Sequence, residues 1–263
     1  MRKYLTVFAV DWQNQFIYRL NFVLWRVRNI LRLLMTYFLW RGVFNTNVSV
    51  FGYSQNQMLT YVFLVLLVQT LVTSAPSSDN IGGEIGNGEL SNYLVKPVSY
   101  IGYWFTRDLS SKLLNIIFAS VELTLLWLVF QPELQIPVHL LAFVVSCILA
   151  VFIFYFLNIA TRFVSFWTPE NTWGLSFLVI ILIETLAGGI FPLDILPHWT
   201  NVALQFTPFP YLIYYPIAIF LGKITGIYLL RILFQSLLYC AIMYYFAQII
   251  WRRGLKVYAS EGR

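Results

Sequence analysis

Six apolar stretches recur along this chain, at 24–44, 58–75, 113–130, 138–160, 175–191 and 227–250, with polar breaks between them. A helix rises ~1.5 Å per residue, so about 20 apolar residues cross a hydrocarbon core of ~30 Å. Five of the stretches approach that length with little internal charge and predict membrane-spanning helices. The first differs, because Arg32 and Arg41 bracket a purely apolar run of only 33–40. It spans as 24–44 if Arg32 snorkels inward and Arg41 outward. Ahead of it, residues 7–32 place Phe16, Leu20, Val23, Val27 and Ile30 on one helical face and Gln15, Arg19, Arg26 and Asn29 on another. That pattern predicts an amphipathic connecting helix with its basic side at the inner membrane surface. Pro132 and Pro137 pinch the loop after the third stretch, and Pro192, Pro197, Pro208, Pro210 and Pro216 break up 192–226 before the sixth. The expected fold is a single all-α, polytopic domain over 1–263, with six spans and a re-entrant or outer helical segment before the last.

Composition agrees with this class. The chain is 59% hydrophobic and 11% charged, with mean hydropathy +0.72, whereas soluble domains carry about 25% charged residues. Seventeen basic and 11 acidic side chains are too few to wrap a soluble core of this size. Arg2 and Lys3 precede a short apolar stretch at 4–10, and Asp11, Gln13, Asn14 and Gln15 follow with no small-residue cleavage site. The N-terminus is therefore expected to stay in the cytoplasm. Cys147 and Cys240 each fall inside an apolar run and read as small buried hydrophobes.

Charge placement sets an expected orientation. With both termini inside, fourteen Lys and Arg fall in cytoplasmic segments, and only Arg41, Lys223 and Arg231 fall toward the other side. The net charge of +6 then reflects topology and anionic membrane lipid, and gives no support to nucleic-acid binding.

Motifs of bond chemistry are missing from the sequence. Gly222-Lys223 is followed by Ile224 and lacks the upstream glycine of a phosphate-binding loop. No H-E-x-x-H, G-x-S-x-G or metal-spaced Cys/His set occurs. A membrane-embedded lipid-modifying enzyme would need a nucleophile–base or His–carboxylate cluster, and none is legible. That enzyme reading and an ATP-independent channel or scaffold remain the alternatives to transport.

One polar stretch stands out between two apolar runs, within 76–112. Gly82, Gly83, Gly86 and Gly88 allow tight backbone geometry, while Leu90, Tyr93 and Leu94 recur at helical spacing. This predicts a short docking helix facing something soluble. The series Gly83-Glu84, Gly88, Leu90, Leu94 and Pro97-Val98 resembles the first cytoplasmic loop of the ABC-2 permeases, which touches a partner ATPase. Gly188-Gly189-Ile190-Phe191-Pro192-Leu193 with Pro197, followed by Thr207-Pro208-Phe209-Pro210-Tyr211, resembles that family's Pro-rich segment after the fifth span. The 256–263 tail resembles a bacterial exporter branch of the family.

The resemblance implies the permease half of an ATP-driven exporter of the drug, lipid or glycan class, which performs no bond chemistry. It implies a dimer of ATPase subunits holding ATP and Mg, a second permease copy or paralogue, and a place in the inner or plasma membrane. Glu84, Ile85, Glu89, Leu90, Tyr93, Leu94 and Lys96 would be the ATPase-coupling residues. Gly188, Gly189, Pro192, Pro197 and Pro208 would shape an outer gate or re-entrant backbone, which is tolerated only when buried in protein or lining a wet cavity. Glu122 and Glu184, at mid-span, are expensive in lipid and must face the interior, a cavity or a cation. They read either as substrate-path or ion-pair groups or as packing contacts, with Arg41 and Arg231 as candidate partners. Arg162, opening a second loop with Thr168-Pro169-Glu170, reads either as a further ATPase contact or as a topogenic charge. Aromatics such as Phe152, Phe154, Tyr155 and Phe156 either line a route or pack.

Overall fold

The computed structural model describes residues 2–16, 19–45, 49–74, 80–131, 137–169 and 172–258. Pro132, Glu170, the tail at 259–263 and the first part of the polar loop at 75–79 lie outside these residues. Of the described residues, 81% are helical. In order come α1 (Arg2–Gln15), α2 (Arg19–Val43), β1 (Ser49–Val50), β2 (Tyr53–Ser54), α3 (Gln55–Val72), α4 (Ile81–Gly86), α5 (Ser91–Leu94), α6 (Tyr100–Phe130), α7 (Leu140–Phe163), α8 (Thr172–Leu186), α9 (His198–Gln205), α10 (Tyr214–Phe220) and α11 (Gly226–Val257). The antiparallel β1–β2 hairpin pairs Val50 with Tyr53. It is a small addition to the expected all-α plan, and it turns on Phe51 and Gly52 at φ 53° and 78°.

Among the described residues, four helical segments are long and apolar enough to cross a membrane: Gln55–Val72, Tyr100–Leu128, Leu140–Phe166 and Gly226–Val257. The stretch expected at 175–191 forms α8, 15 residues long, or about 22 Å. It stops at Leu186 because Gly188 turns the chain at φ 86°. The first stretch lies in α2, 25 residues long and interrupted by arginines.

The centre of the bundle is α3, apolar on nearly all sides and buried, as such a helix must be. A capping box fixes its start: the Ser54 hydroxyl accepts from Gln57 N, and the Gln57 side chain accepts from Ser54 N. Tyr61, Val65, Val68 and Val72 pack with Ile153 of α7, Ile183 of α8, Ile217 and Ile219 of α10, and Ile232 of α11. The last helix lies along α7. At Gly254 it comes so close to the turn after α7 that an added Cβ would sit 2.1 Å from the Phe166 ring.

The expected amphipathic helix over 7–32 is two helices, and its polar side faces inward rather than the membrane surface. α1 lies on α6. Asp11 is buried and takes a 2.8 Å ion pair from Arg107 Nε, and Gln15 donates to Ser111 Oγ at 2.6 Å. Leu5, Val10 and Phe16 are exposed, as are Val23, Val27, Leu31, Met35 and Phe38 of α2. In lipid the apolar face is the outer one, because buried carboxylates hold the polar face inside.

Helix α6 begins at Tyr100 rather than at 113, so the polar loop ends near Ser99, whose hydroxyl accepts from Gly102 N. The charges that marked 100–112 as loop are satisfied within the helix. Arg107 meets Asp11, and Lys112 Nζ donates to the carbonyls of Val72 at 2.6 Å and Ser74 at 3.1 Å, closing the end of α3.

Candidate functional site

Two ion pairs tie α2 into the bundle. Arg26 pairs with Glu122 of α6, and its second guanidinium nitrogen lies 3.5 Å from Asn115 Oδ1. Arg32 donates from both terminal nitrogens to the two oxygens of Glu184 on α8. Six residues separate the arginines, a rise of about 9 Å and a rotation of about 240°, which sends one guanidinium toward α6 and the other toward α8. The carboxylates thus find Arg26 and Arg32, and neither Arg41 nor Arg231, the partners expected from sequence; both of those are exposed. The Arg26–Glu122 side chains are 9% and 13% exposed, and the Arg32–Glu184 side chains 35% and 27%.

Glu184 and Arg32 are more open because they border a cavity of 440 Å³ between α2, α3, α6, α7 and α8. It extends from Ser74 and Asn80 to Glu184 and Gly189. Its charged lining consists of Arg28, Arg32, Arg107, Arg162 and Glu184, among Asn, Gln, Ser and Thr side chains. Arg162, the expected loop or topogenic charge, is instead buried in the last turn of α7, and Phe154 is the expected route-lining aromatic that reaches the cavity. Tyr155 packs instead, donating to the Ile101 carbonyl at 2.5 Å, and Phe152 stacks on Phe105.

At the end of α3 where its chain leaves for α4, the polar loop folds back onto the bundle. It forms two short helices hinged at Gly88, φ 77°. Ile81, Ile85 and Leu90 are buried with Tyr100, Trp104, Ile159 and Phe163. Glu84 is buried as well: Tyr93 Oη donates to Oε1 at 2.9 Å and Tyr100 Oη to Oε2 at 2.6 Å. Burial raises the Glu84 carboxyl above its ordinary range, against these hydrogen bonds and Arg107, which favour the ionised form. Burial, then Glu84, raises Tyr93. Leu90 and Ile85 therefore face the chain's own interior rather than forming an open ridge with Leu94, since the tight Gly-rich turn rolls their side inward. Exposed instead are Glu89, Leu94, Val95 and Lys96, with Lys96 Nζ 4.4 Å from the Tyr93 ring centroid.

Tyr258 locks the loop from the far end of the chain, its Oη donating to the Gly88 carbonyl at 2.7 Å and accepting from Ser91 N at 3.2 Å. Sequence reading missed Tyr258, Tyr100, Arg26 and Arg32 as partners. A tyrosine just beyond a long apolar helix and arginines inside one were the available signals.

At the opposite end of α3, Gly188 and Gly189 are buried. A Cβ on Gly188 would meet Tyr61 Oη at 2.8 Å, and one on Gly189 would meet Glu184 Oε2 at 3.0 Å. Pro192 is buried, Pro197 precedes α9, and Pro208 precedes a tight turn at Phe209–Tyr211. The chain re-enters the core as α10, with Tyr215 to Ile219 buried. Tyr53 Oη lies 2.7 Å from Asp194 Oδ2, which also accepts from Lys223 Nζ at 3.0 Å, so the hairpin, the Pro-rich segment and the lead-in to α11 are joined.

Residues 30–262 match the family described as ABC-2 family transporter protein, leaving α1 and the start of α2 outside the match. Comparison with curated proteins and with solved structures found no match.

Proposed function

The chain belongs to the ABC-2 transporter family, and from that membership we propose that it is the permease half of an exporter driven by a separate ABC ATPase. In this reading α2 and α8 complete six crossings, both termini are cytoplasmic, and two permeases dock a pair of ATPase subunits that hold ATP and Mg. The cargo is of the drug, lipid or glycan class and leaves through the cavity bordered by Arg32 and Glu184. The Gly188–Gly189 turn, the prolines at 192, 197 and 208, and buried α10 form the outer gate.

The build of the α4–α5 loop is the observation that carries the proposal. A docking element must transmit force as well as bind. Glu84 links the loop to α6 through Tyr100, and Tyr258 links it to α11. Leu90 and Ile85 root it in the core. A push on the loop therefore moves two long helices instead of bending a tether. The exposed edge, Leu94 at 47% and Val95 at 84% exposure, flanked by Glu89 and Lys96, supplies apolar anchors with a charged rim, as helix-in-groove contacts require.

Leu94→Asp with Val95→Asp tests this. Each lost anchor costs about 1–3 kcal/mol of docking, roughly 5- to 150-fold in affinity. The double variant is expected to insert and melt as the parent does, yet fail to co-purify with the cognate ATPase. Undiminished ATPase recovery would remove the coupling role from this edge.

A further inference from the structure

We propose that the outward face of α11 is a binding site for an anionic phospholipid of the leaflet at that helix's C-terminal end. Packing fixes which side of α11 turns inward. Ala247 is buried, Trp251 stacks on Tyr100 with ring centroids 5.2 Å apart, Gly254 presses on Phe166, and Tyr258 bonds to Gly88 and Ser91. These positions recur every three or four residues and so form one side of the helix. The opposite side carries Ile242, Tyr245, Phe246 and Ile249, then at the same spacing Arg252, Arg253 and Lys256, all of them exposed. One continuous face thus changes from apolar to cationic within a single turn.

A phospholipid standing beside the helix has the same profile along the same axis. From Ile227 to Ile249 the helix rises about 33 Å, close to the ~30 Å of a hydrocarbon core. With Ile249 at the edge of that core, Arg252 and Arg253 stand about 5–6 Å beyond it and Lys256 about 10 Å. The headgroup layer is about 5–8 Å deep on each side. Helical side chains lean toward the N-terminus, which here is toward the membrane, so a lysine stem at 256 leans back to headgroup level.

The cations are open to a ligand. Among the described residues, none of the three takes part in an ion pair or a side-chain hydrogen bond. Glu84, the buried carboxylate of the loop that Tyr258 holds, is occupied by Tyr93 and Tyr100. At the other end of α11 the leading cation, Lys223, is paired with Asp194. Guanidinium groups match phosphate oxygens through charge-assisted hydrogen bonds, and the acyl chains lie along Ile242, Tyr245, Phe246 and Ile249. A zwitterionic headgroup would bring its own ammonium against the same cations. Each basic side chain at an anionic surface strengthens binding about fivefold.

The inference stands apart from the permease reading, and its test uses the full chain purified in neutral detergent. Native mass spectrometry gives apparent Kd values for dioleoylphosphatidylglycerol and dioleoylphosphatidylcholine, which share their acyl chains. The parent is expected to prefer phosphatidylglycerol at least about tenfold, and a ratio near one would overturn the proposal. Arg252→Gln, Arg253→Gln and Lys256→Gln together should remove most of that preference, while Arg252→Lys with Arg253→Lys should keep most of it. Arg41→Gln with Arg231→Gln, at exposed arginines elsewhere, should leave it unchanged; an equal loss there would mean that binding follows net charge and would overturn the site. If the Gln triple fails to insert, Arg252→Gln with Lys256→Gln is judged by the same criterion. Glu261→Gln is carried alongside, and a preference seen only in that variant would give the cations to the chain's own tail. Unchanged phosphatidylglycerol affinity in the Gln triple would overturn the proposal, whether ATPase capture is lost, which gives this face to the ATPase, or a parent dimer falls to monomer, which gives it to a second copy.

Discussion

Replacing Glu122 with Gln keeps the side-chain shape and removes the charge that Arg26 faces. What remains for the guanidinium is Asn115 at 3.5 Å, and Arg26 Nε already finds no acceptor among the described residues. With the pair only 9% and 13% exposed, solvent screens little of the loss, and stranding one member of a buried pair costs about 3–5 kcal/mol. The same change at Glu184 acts on side chains 35% and 27% exposed to the cavity. Screening places that loss between the buried and surface cases, at about 1–2 kcal/mol. The expected result is an order of effects: Glu122→Gln lowers Tm more than Glu184→Gln does. The double variant Arg26→Gln with Glu122→Gln should recover most of the deficit, because no unpaired charge is then buried. Thermal unfolding of the four chains in identical nanodiscs gives the comparison. A Glu184→Gln shift equal to or larger than that of Glu122→Gln would refute the burial argument, and a double variant no better than the single would refute the pairing.

Further expectations follow from other parts of the molecule. In a background without Cys147 and Cys240, a cysteine at 89 should label from the cytoplasm only and one at 54 from outside only; the reverse at either position ends the six-span topology. Gly254→Ala drives a Cβ into the Phe166 ring, at 2.1 Å, and overpacking of this kind costs about 1–3 kcal/mol; Phe166→Leu in the same chain should ease the loss of Tm, and a Gly254→Ala chain as stable as the parent would contradict the close approach. Glu84 has a folded pKa above its ordinary 4.5, so its contribution is full below the ordinary value and is lost as pH rises through the raised one. The stability of Glu84→Gln relative to the parent should therefore climb with pH over that window, and a flat or falling difference in Tm would count against it. Glu184→Gln should insert normally and reduce substrate-stimulated ATPase activity of the assembled transporter; full activity would leave Glu184 a packing role.

Much of the architecture was legible before any coordinates. Apolar runs of spanning length locate α3, α6, α7 and α11 to within a few residues where no charge intervenes. The order of the Gly-Glu loop and the Pro-rich segment points to the family that residues 30–262 match. Where charges fall inside a helix the reading went astray, starting α6 thirteen residues late and running one amphipathic helix over 7–32, where the structure has α1 and the first part of α2. Arg107, Lys112, Arg26 and Arg32 looked like water-facing residues because their partners are remote in sequence: Asp11, the Val72 carbonyl, Glu122 and Glu184.

A helical period states which residues share a face, and that much the sequence determined by itself for α1 and α2. It does not state which way the face turns. In water the apolar side points inward, but in a bilayer apolar side chains suit both lipid and core. Only the tertiary structure decided that Met35 and Phe38 look outward while Arg32 looks in. It also decided that Leu90 is a root of its loop and Leu94 its edge. Those choices depend on which helices become neighbours, and long-range pairing of buried charge sets them in a medium where hydrophobicity gives no direction.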